Sequence, residues 1–337
     1  MSTEAHPILV EATRGERVES VHRGRLVVVD SRGDSVLAIG DVDSAVYPRS
    51  AVKPLQALVL VESGAVDAFG LGDREIALAC ASHGGEPRHV ELVGRWIGHV
   101  GLSPAALECG VHWPYHEASQ RQLAALGGEP TTLHNNCSGK HAGFLTVARH
   151  LGIDHSDYVA ADHPLQRLVR AALAEMCDLD AESLPYGIDG CAIPTYAMPL
   201  RAVALGMARL ARPDDLPAGR QQAARRICAA MSAEPFLVAG SGRYCTELMT
   251  ALGPRAVVKT GAEGVYTAAL PELGLGVALK CDDGASRAAE LMMTAVLRHL
   301  GVFDREAATR APALERVVIR NRQGTEVGAL RPTGPLA

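Results

Sequence analysis

The sequence predicts a mixed α/β fold of the α+β kind, in which one antiparallel sheet is flanked by helices. Three observations support this: β-branched runs fill residues 8–39, strand-like runs return at 256–281, and helical patterns occupy the stretch between them. Strands at both ends of a chain come together in one sheet when the middle forms a mostly helical lobe. We expect a single domain, residues 1–337, with a sheet lobe of about 1–50 plus 254–337 and a helical lobe of about 51–253.

The strands are predicted from short apolar runs that are separated by turn residues. The N-terminal runs have candidate hairpin turns at Arg23-Gly24 and at Ser31 to Asp34 between them. After the last strand of the second group, Ala285 to Leu300 has the pattern of a long helix. The predicted strands are Val18 to Val21, Leu26 to Val29, Val36 to Ile39, Ala256 to Lys259, Gly264 to Ala269, Gly276 to Cys281 and Arg316 to Arg320.

The helices of the middle are predicted from apolar residues at helical spacing and from capping or glycine residues at their ends. Gly64, for example, stops the first of them. The predicted helices are Lys53 to Glu62, Asp73 to Cys80, His89 to Val100, Glu117 to Leu126, Lys140 to Leu151, Leu165 to Cys177, Leu200 to Leu210, Ala218 to Met231 and Cys245 to Leu252.

Composition and charge exclude several classes of partner. A formal net charge of -5 gives no basic field for nucleic acid or an anionic membrane, and no apolar run is long enough to span a bilayer. The N-terminal residues lack the cationic start and apolar core of a signal peptide. Eight cysteines in such a chain indicate reduced thiols. We therefore expect a cytoplasmic protein with no nucleic-acid or membrane partner.

A serine and a lysine one helical turn apart form the first candidate for catalysis. Ser50 is a good helix N-cap residue, and Lys53 lies three residues further on, on the same face. A hydroxyl beside a neutral amine makes a nucleophile and its proton acceptor. The later Lys259-Thr260-Gly261, on a predicted strand, is the partner motif of S-x-x-K enzymes. The alternative is a capping serine with a solvated lysine.

Four loop-like stretches in the helical middle carry reactive side chains. They are Ala81 to Gly85, His134 to Gly143, Gly187 to Pro194 and Gly240 to Glu247. The first contains Ser82 and His83, either facing a site or solvated at a helix end that Gly84 closes. In the second, Cys137, Lys140 and His141 share one face of a first helical turn.

The cysteines divide into two groups by their sequence context. Cys137, Cys191 and Cys245 lie in the polar loops, whereas Cys80, Cys177, Cys228 and Cys281 lie in apolar patterns that predict core positions; Cys109 fits neither group. Because C-x-x-C spacing is missing, a closed structural zinc site is not expected. An open metal site built from separated thiolates stays possible.

Five motifs together closely resemble the Rhizobium-etli-type L-asparaginases, over about Val18 to Leu300. They are Arg49 to Pro54, Ala81 to Gly85, Asn135 to His141, Asp189 to Cys191 and Lys259 to Gly261. The resemblance implies a fold similar to glutaminases and serine β-lactamases, a homodimer, and hydrolysis of the side-chain amide of L-asparagine. A glutaminase or other small-amide hydrolase of the same fold, or a non-catalytic penicillin-fold binding protein, are the alternatives. A binder would not need the paired amines.

The resemblance also implies roles for individual residues. Two serine/lysine pairs are expected to be catalytic: Ser50 with Lys53, and Ser82 with Lys259. A zinc ion is expected on Cys137, Lys140 and Cys191, with His141 nearby. Residues expected to contact the substrate are Arg49, His83, Asp189 and Cys245. The proposed reaction passes through an acyl-enzyme formed on serine.

Overall fold

The structure is a computed structural model that describes residues 4–337. It is a mixed α/β fold, as the sequence predicts, and it divides into two compact units. The first unit contains the described residues up to Ala51, with Met198–Arg212 and Glu247–Ala337; the second contains Val52–Ala197 and Pro213–Thr246. Across residues 4–337, no helix is both long and apolar enough to cross a membrane.

The strands are short except for the second, which has 14 residues. In chain order they are β1 (Ile8–Arg14), β2 (Arg17–Asp30), β3 (Ser35–Ile39), β4 (Ala45–Val46), β5 (Tyr186–Ile188), β6 (Pro194–Tyr196), β7 (Met198–Pro199), β8 (Val257–Thr260), β9 (Val265–Leu270), β10 (Leu275–Cys281), β11 (Val317–Arg320) and β12 (Glu326–Pro332).

The helices lie mainly between β4 and β8, where the sequence predicts them. In chain order they are α1 (Lys53–Gln56), α2 (Leu58–Glu62), α3 (Ala65–Ala68), α4 (Asp73–Ala79), α5 (Pro87–His99), α6 (Glu117–Ala125), α7 (Ser138–Leu151), α8 (Pro164–Cys177), α9 (Leu200–Ala211), α10 (Ala218–Ala233), α11 (Pro235–Ala239), α12 (Tyr244–Leu252), α13 (Ser286–His299), α14 (Arg305–Arg310) and α15 (Pro312–Glu315).

One sheet in the first unit joins the two ends of the chain. Its strand order is β11-β12-β1-β2-β10-β9-β8, with β3 also paired to β2, and neighbouring strands are antiparallel. Leu26 to Val29 on β2 are fully buried, so both faces of this strand are covered. Helices α9 and α13 pack against the sheet. The predicted sheet of N- and C-terminal strands is confirmed.

The predicted hairpin turn at Arg23-Gly24 is wrong, because β2 runs straight through it. Gly24 pairs with Cys281 of β10, and a Cβ on Gly24 would lie 2.6 Å from the Lys280 carbonyl oxygen. This glycine therefore permits close packing of backbones and does not form a turn. The predicted turn before β3 is confirmed, with Gly33 at φ +92°. The sequence analysis missed strand β12. Its Gly328 packs closely against the Thr13 carbonyl oxygen.

The second unit is helical around α7. Its residues from Ser138 to Ala148 are all buried, and it packs against α2, α4 and α5. Gly139 allows this, because a Cβ there would lie 2.3 Å from the Leu78 carbonyl oxygen of α4. Strands β5 and β6 form an antiparallel hairpin whose loop carries Cys191. The helix that begins with the densest polar motif in the sequence is thus buried along its first eleven residues.

Two glycine substitutions with opposite expected effects test the packing of the sheet unit. A Cβ on Gly276 of β10 would lie 2.1 Å from the Ala204 carbonyl oxygen and 2.2 Å from the Ala208 nitrogen, both backbone atoms of α9. We expect Gly276→Ala to lower the free energy of unfolding by about 1–3 kcal/mol, since overpacking of this size forces backbone shifts. Urea unfolding of the purified protein measures the change.

The matched control is Gly98→Ala. Gly98 lies exposed on α5, and its added Cβ would meet no atom within 4 Å. Alanine there should raise the free energy of unfolding by a few tenths to about 1 kcal/mol, because glycine loses more backbone entropy in a helix. Equal effects of the two substitutions would contradict the close approach of β10 and α9.

Candidate active site

The Ser50 hydroxyl is carried by a strained turn in the first unit. Residues Arg49–Val52 form a single 3₁₀ turn, and Arg49 has φ +53°, in the left-handed region. The Ala51 N–H donates to the Pro48 carbonyl at 3.0 Å and closes the turn. Ser50 is half-buried inside this turn, so the expectation that it caps an α-helix is wrong. A non-glycine residue in this region costs about 1–3 kcal/mol and is typical of functional sites.

The Lys259-Thr260-Gly261 motif packs directly on this turn. A Cβ on Gly261 would lie 2.5 Å from the Pro48 carbonyl oxygen and 3.2 Å from Ala51. Lys259 is fully buried on β8, and its amine donates to the Thr260 carbonyl at 2.8 Å. The first unit therefore brings the turn of Ser50 and the Lys-Thr-Gly motif into contact.

Lys53 begins α1 in the second unit, and its side chain is buried. Its amine donates to the Ala81 carbonyl and lies 3.1 Å from the Ser82 hydroxyl and 3.2 Å from the Cys137 sulfur. A lysine amine can donate up to three hydrogen bonds, and these three contacts offer one acceptor for each. The Lys53 side chain thus joins the segment that carries Ser82 to Cys137, the residue before α7.

The segment that carries Ser82 is fixed by its backbone and by a neutral histidine. The Ser82 N–H donates to the Val238 carbonyl at 2.9 Å. Since Nδ1 of His83 accepts the Gly85 N–H, the ring proton lies on Nε2, which donates to the Ser138 hydroxyl at 3.0 Å. Burial lowers the pKa of His83 well below its usual value. His83 therefore links this segment to the first turn of α7.

Two thiols and an amine converge at the start of α7. Cys137 precedes the helix, Lys140 lies in its first turn, and Cys191 comes from the β5–β6 loop; all three side chains are buried. The Lys140 amine lies 2.9 Å from the Cys191 sulfur, and the thiols of Cys137 and Cys191 are hydrogen-bonded to each other. The structure thus brings together the three residues predicted to bind metal.

The charges in this cluster are set by mutual contacts. The hydrogen bond from Cys191 lowers the pKa of Cys137 well below its usual value, and the lysines at 53 and 140 add to this against the effect of burial. The same hydrogen bond, with burial, raises the pKa of Cys191. Burial alone would lower the pKa of Lys140, but Cys191 and Cys137 raise it. These shifts favour a negative charge on Cys137 and a positive charge on Lys140.

This donor set fits a zinc ion. Thiolates suit zinc, and an amine that has lost its proton offers a third donor. The hydrogen bonds already place the Cys137, Lys140 and Cys191 donor atoms in contact, so loading requires the loss of protons from Cys191 and Lys140. Three protein ligands leave a fourth position for water or substrate.

The other predicted residues lie as follows. His141 on α7 is fully buried; its Nδ1 is 2.6 Å from the Tyr158 hydroxyl, and its Nε2 has no hydrogen-bond partner among residues 4–337. Asp189 is half-buried in the β5–β6 loop, and its charge raises the pKa of Lys140. Cys245 is buried at the start of α12. Arg49, like Ser50 and Lys259, belongs to the first unit.

Three supporting residues were not among the predicted site residues. Asn135 donates to the carbonyls of Cys109 (2.7 Å) and Gly110 (3.2 Å) and accepts the Cys137 N–H at 2.8 Å, so it fixes the thiolate-bearing residue. Its place in a dense polar run was a usable signal. Tyr158, whose hydroxyl also accepts the Glu108 N–H at 3.0 Å, lies in a segment without any motif. Cys109, which the sequence analysis assigned to neither group of cysteines, is a core residue. Its carbonyl accepts a hydrogen bond from Asn135.

Glu86, the third of these residues, anchors the fourth glycine-rich loop. Its buried carboxylate accepts the Ser241 N–H at 2.7 Å and the Ser241 hydroxyl at 2.8 Å. Gly240 has φ +109°, and a Cβ there would lie 2.4 Å from the Glu86 oxygen. The loop therefore depends on a carboxylate four residues after Ser82.

Comparison with known proteins identifies the family. The sequence model described as L-asparaginase II matches residues 10–332. A β-lactamase structure from Mycobacterium bovis has a TM-score of 0.43 and 15% identity, covering 82% of this chain and 94% of that one. A candidate β-lactamase from Bacteroides dorei has a TM-score of 0.41 and 14% identity, covering 77% and 84%. Among curated proteins no match is found.

Proposed function

The chain belongs to the L-asparaginase II family, and we propose that it hydrolyses the side-chain amide of L-asparagine to L-aspartate and ammonia. Membership makes it an amidohydrolase. The observation that carries the finer proposal is the buried Lys53 amine. It contacts the Ser82 hydroxyl and the Cys137 sulfur at hydrogen-bond distance. A buried amine with these partners has a use in proton transfer that a binding protein does not need.

The proposed reaction begins at Ser50. Its hydroxyl attacks the amide carbonyl while Lys53, three residues later, takes the proton, which forms an ester bond and breaks the carbon–nitrogen bond. The proton returns to the leaving nitrogen, which departs as ammonia. Ser82, at 3.1 Å from the Lys53 amine, is placed to relay that proton, and Lys259 supports the same step. Water then hydrolyses the ester, with Lys53 again as base.

The proposal includes roles for the residues around this chemistry. Arg49, His83, Asp189 and Cys245 stay predictions as substrate contacts. Cys137, Lys140 and Cys191 would hold zinc, which would fix the loops and bind the amino-acid end of the substrate. Two thiolates make zinc a poor Lewis acid, so amide activation is left to the serine and lysine side chains. A homodimer and a cytoplasmic location stay predictions as well.

Ammonia release separates the proposed activity from its alternatives. We expect rapid release from L-asparagine and at least ~10-fold lower kcat/KM with L-glutamine, because one added methylene is worth about 1–3 kcal/mol in a fitted pocket. A coupled assay of ammonia with each amino acid measures this. Faster release from glutamine would indicate a glutaminase, and no release from either would indicate a non-catalytic binder.

Substitutions of the paired residues test the mechanism. Ser50→Ala should lower kcat by about 10³-fold or more, and Lys53→Met by about 10²- to 10⁴-fold, since one removes the nucleophile and the other its base. The double variant should be little worse than Ser50→Ala, because the two act as a unit. Steady-state kinetics with asparagine measures all three.

Two serine variants serve as controls for that experiment. Ser63→Ala, directly after α2, removes a hydroxyl that donates to the Leu60 carbonyl and accepts the Ala65 N–H. Since neither partner has a role in the proposed reaction, its kcat should equal that of the wild type. Ser82→Ala should slow the reaction less than Ser50→Ala if Ser82 only relays a proton. A normal kcat in Ser50→Ala together with an inactive Ser82→Ala would move the nucleophile to Ser82.

Metal content tests the zinc proposal. Cys137→Ser and Cys191→Ser should each lower bound zinc by about one equivalent per chain, because each removes a thiolate ligand. If zinc holds the substrate, these variants should lose more in KM than in kcat. Elemental analysis and kinetics give both values, with Cys228→Ser on α10 as the cysteine control. Full zinc content in both variants would contradict the proposal.

A further inference from the structure

A second cluster of metal-binding side chains lies in the first unit and shares no residue with the candidate active site. Among residues 4–337, His22, Cys281 and Asp283 form a group whose ligand atoms all lie within 4.8 Å of one another. His22 and Cys281 are buried, whereas Asp283 is exposed. The His22 Nδ1 lies 2.6 Å from one Asp283 oxygen, and the Cys281 thiol donates to the other at 3.0 Å.

The backbone holds these three side chains in place. His22 lies on β2 two residues before Gly24, which pairs with Cys281 at the end of β10. The Asp282 N–H donates to the Arg23 carbonyl at 3.0 Å, so the turn after β10 is tied to β2. The Ala285 N–H donates to Asp283 at 3.0 Å just before α13 begins. Two of the ligands thus come from paired strands, and hydrogen bonds hold the turn that carries the third.

The chemistry of the three side chains matches a zinc site. One imidazole, one thiolate and one carboxylate are all common zinc ligands, and their two negative charges balance a divalent cation. Zinc–ligand bonds of about 2.0–2.3 Å require donor atoms roughly 3–4 Å apart, so the present contacts need to open only slightly. The exposed Asp283 leaves a fourth position for water.

In the structure, hydrogen bonds join Asp283 to the other two groups. Burial, and then the contact with Asp283, raises the pKa of Cys281 to about 12. Burial alone would raise the pKa of Asp283, but hydrogen bonds from Cys281, Ala285 and His22 bring it down to about 2. A thiol and a carboxylate therefore face each other, and a cation would replace the thiol proton.

Arg287 is the neighbouring group that opposes metal binding. Its guanidinium lies 3.4 Å from His22 Nε2, which accepts from it when Nδ1 carries the proton. If Nδ1 binds a metal, the proton moves to Nε2 and the two donors repel each other. Arg287 is exposed and can turn away, so it weakens the site without blocking it.

We propose that His22, Cys281 and Asp283 bind one Zn²⁺ ion, which fastens β2 to the turn between β10 and α13. The ion would cross-link two parts of the chain that lie far apart in sequence. It would therefore stabilise the sheet unit, and it takes no part in the proposed hydrolysis.

Zinc binding by the purified protein tests the proposal. After removal of metal, the wild type should bind Zn²⁺ at this cluster, whereas Cys281→Ser, His22→Gln and Asp283→Asn should each lose about one equivalent or bind at least ~10–100-fold more weakly. Isothermal titration with ZnCl₂ measures stoichiometry and affinity. Zn²⁺ should also raise the unfolding temperature of the wild type more than that of these variants.

Further variants separate this cluster from the other thiols. A Cys137→Ser/Cys191→Ser protein should keep the zinc equivalent that Cys281→Ser removes, and Cys228→Ser should bind as the wild type does. Arg287→Gln should bind more tightly, because an amide oxygen accepts the Nε2 proton. Since Asp283 is exposed, Asp283→Asn should fold even if Cys281→Ser does not. Unchanged zinc affinity and stoichiometry in Asp283→Asn and His22→Gln would overturn the proposal.

Discussion

The candidate site depends on the buried hydrogen bonds of Lys53. Its amine joins the Ala81 carbonyl, the Ser82 hydroxyl and the Cys137 sulfur, three groups from two separate segments of the second unit. A buried polar group left without its partner costs about 1–3 kcal/mol, so the packing of these segments requires the amine. In the mechanism proposed above, the same contacts would hold the proton acceptor away from bulk water. The geometry that stabilises this part of the fold would then also serve the proposed base.

Much of the fold was predictable from the sequence because its signals are local. Helices from α4 to α10 begin and end within a few residues of their predicted bounds, since caps, prolines and glycines mark them. The misassigned Gly24 and the missed β12 have another cause. Positions 24 and 328 need glycine because the backbone of a distant part of the chain passes too close to leave room for a side chain. A single sequence cannot distinguish such a glycine from a turn glycine.

The site was predictable in its residue types and only partly in its contacts. The polar density of residues 134–143 indicated a functional cluster, and the contact of Lys140 with Cys191 agrees with the metal set that the resemblance implied. The contact of Lys53 with Ser82 could not be predicted, because 29 residues separate them and neither motif indicates where the other lies in the fold. Tyr158 and Glu86 act through hydrogen bonds to backbone or histidine groups, and such roles leave no pattern in the sequence.

The two proposed reactive groups, Ser50 and Lys53, are fixed in different ways. Side-chain hydrogen bonds hold Lys53, whereas the backbone holds the Ser50 turn: Thr267 donates to the Ala51 carbonyl at 2.9 Å, and Gly261 touches Pro48. Backbone packing of this kind can maintain the strained φ of Arg49, because relaxing it would break several contacts at once. The position of Ser50 therefore depends on residue 261 having no side chain. The position of Lys53 depends on the hydrogen bonds to its three partners.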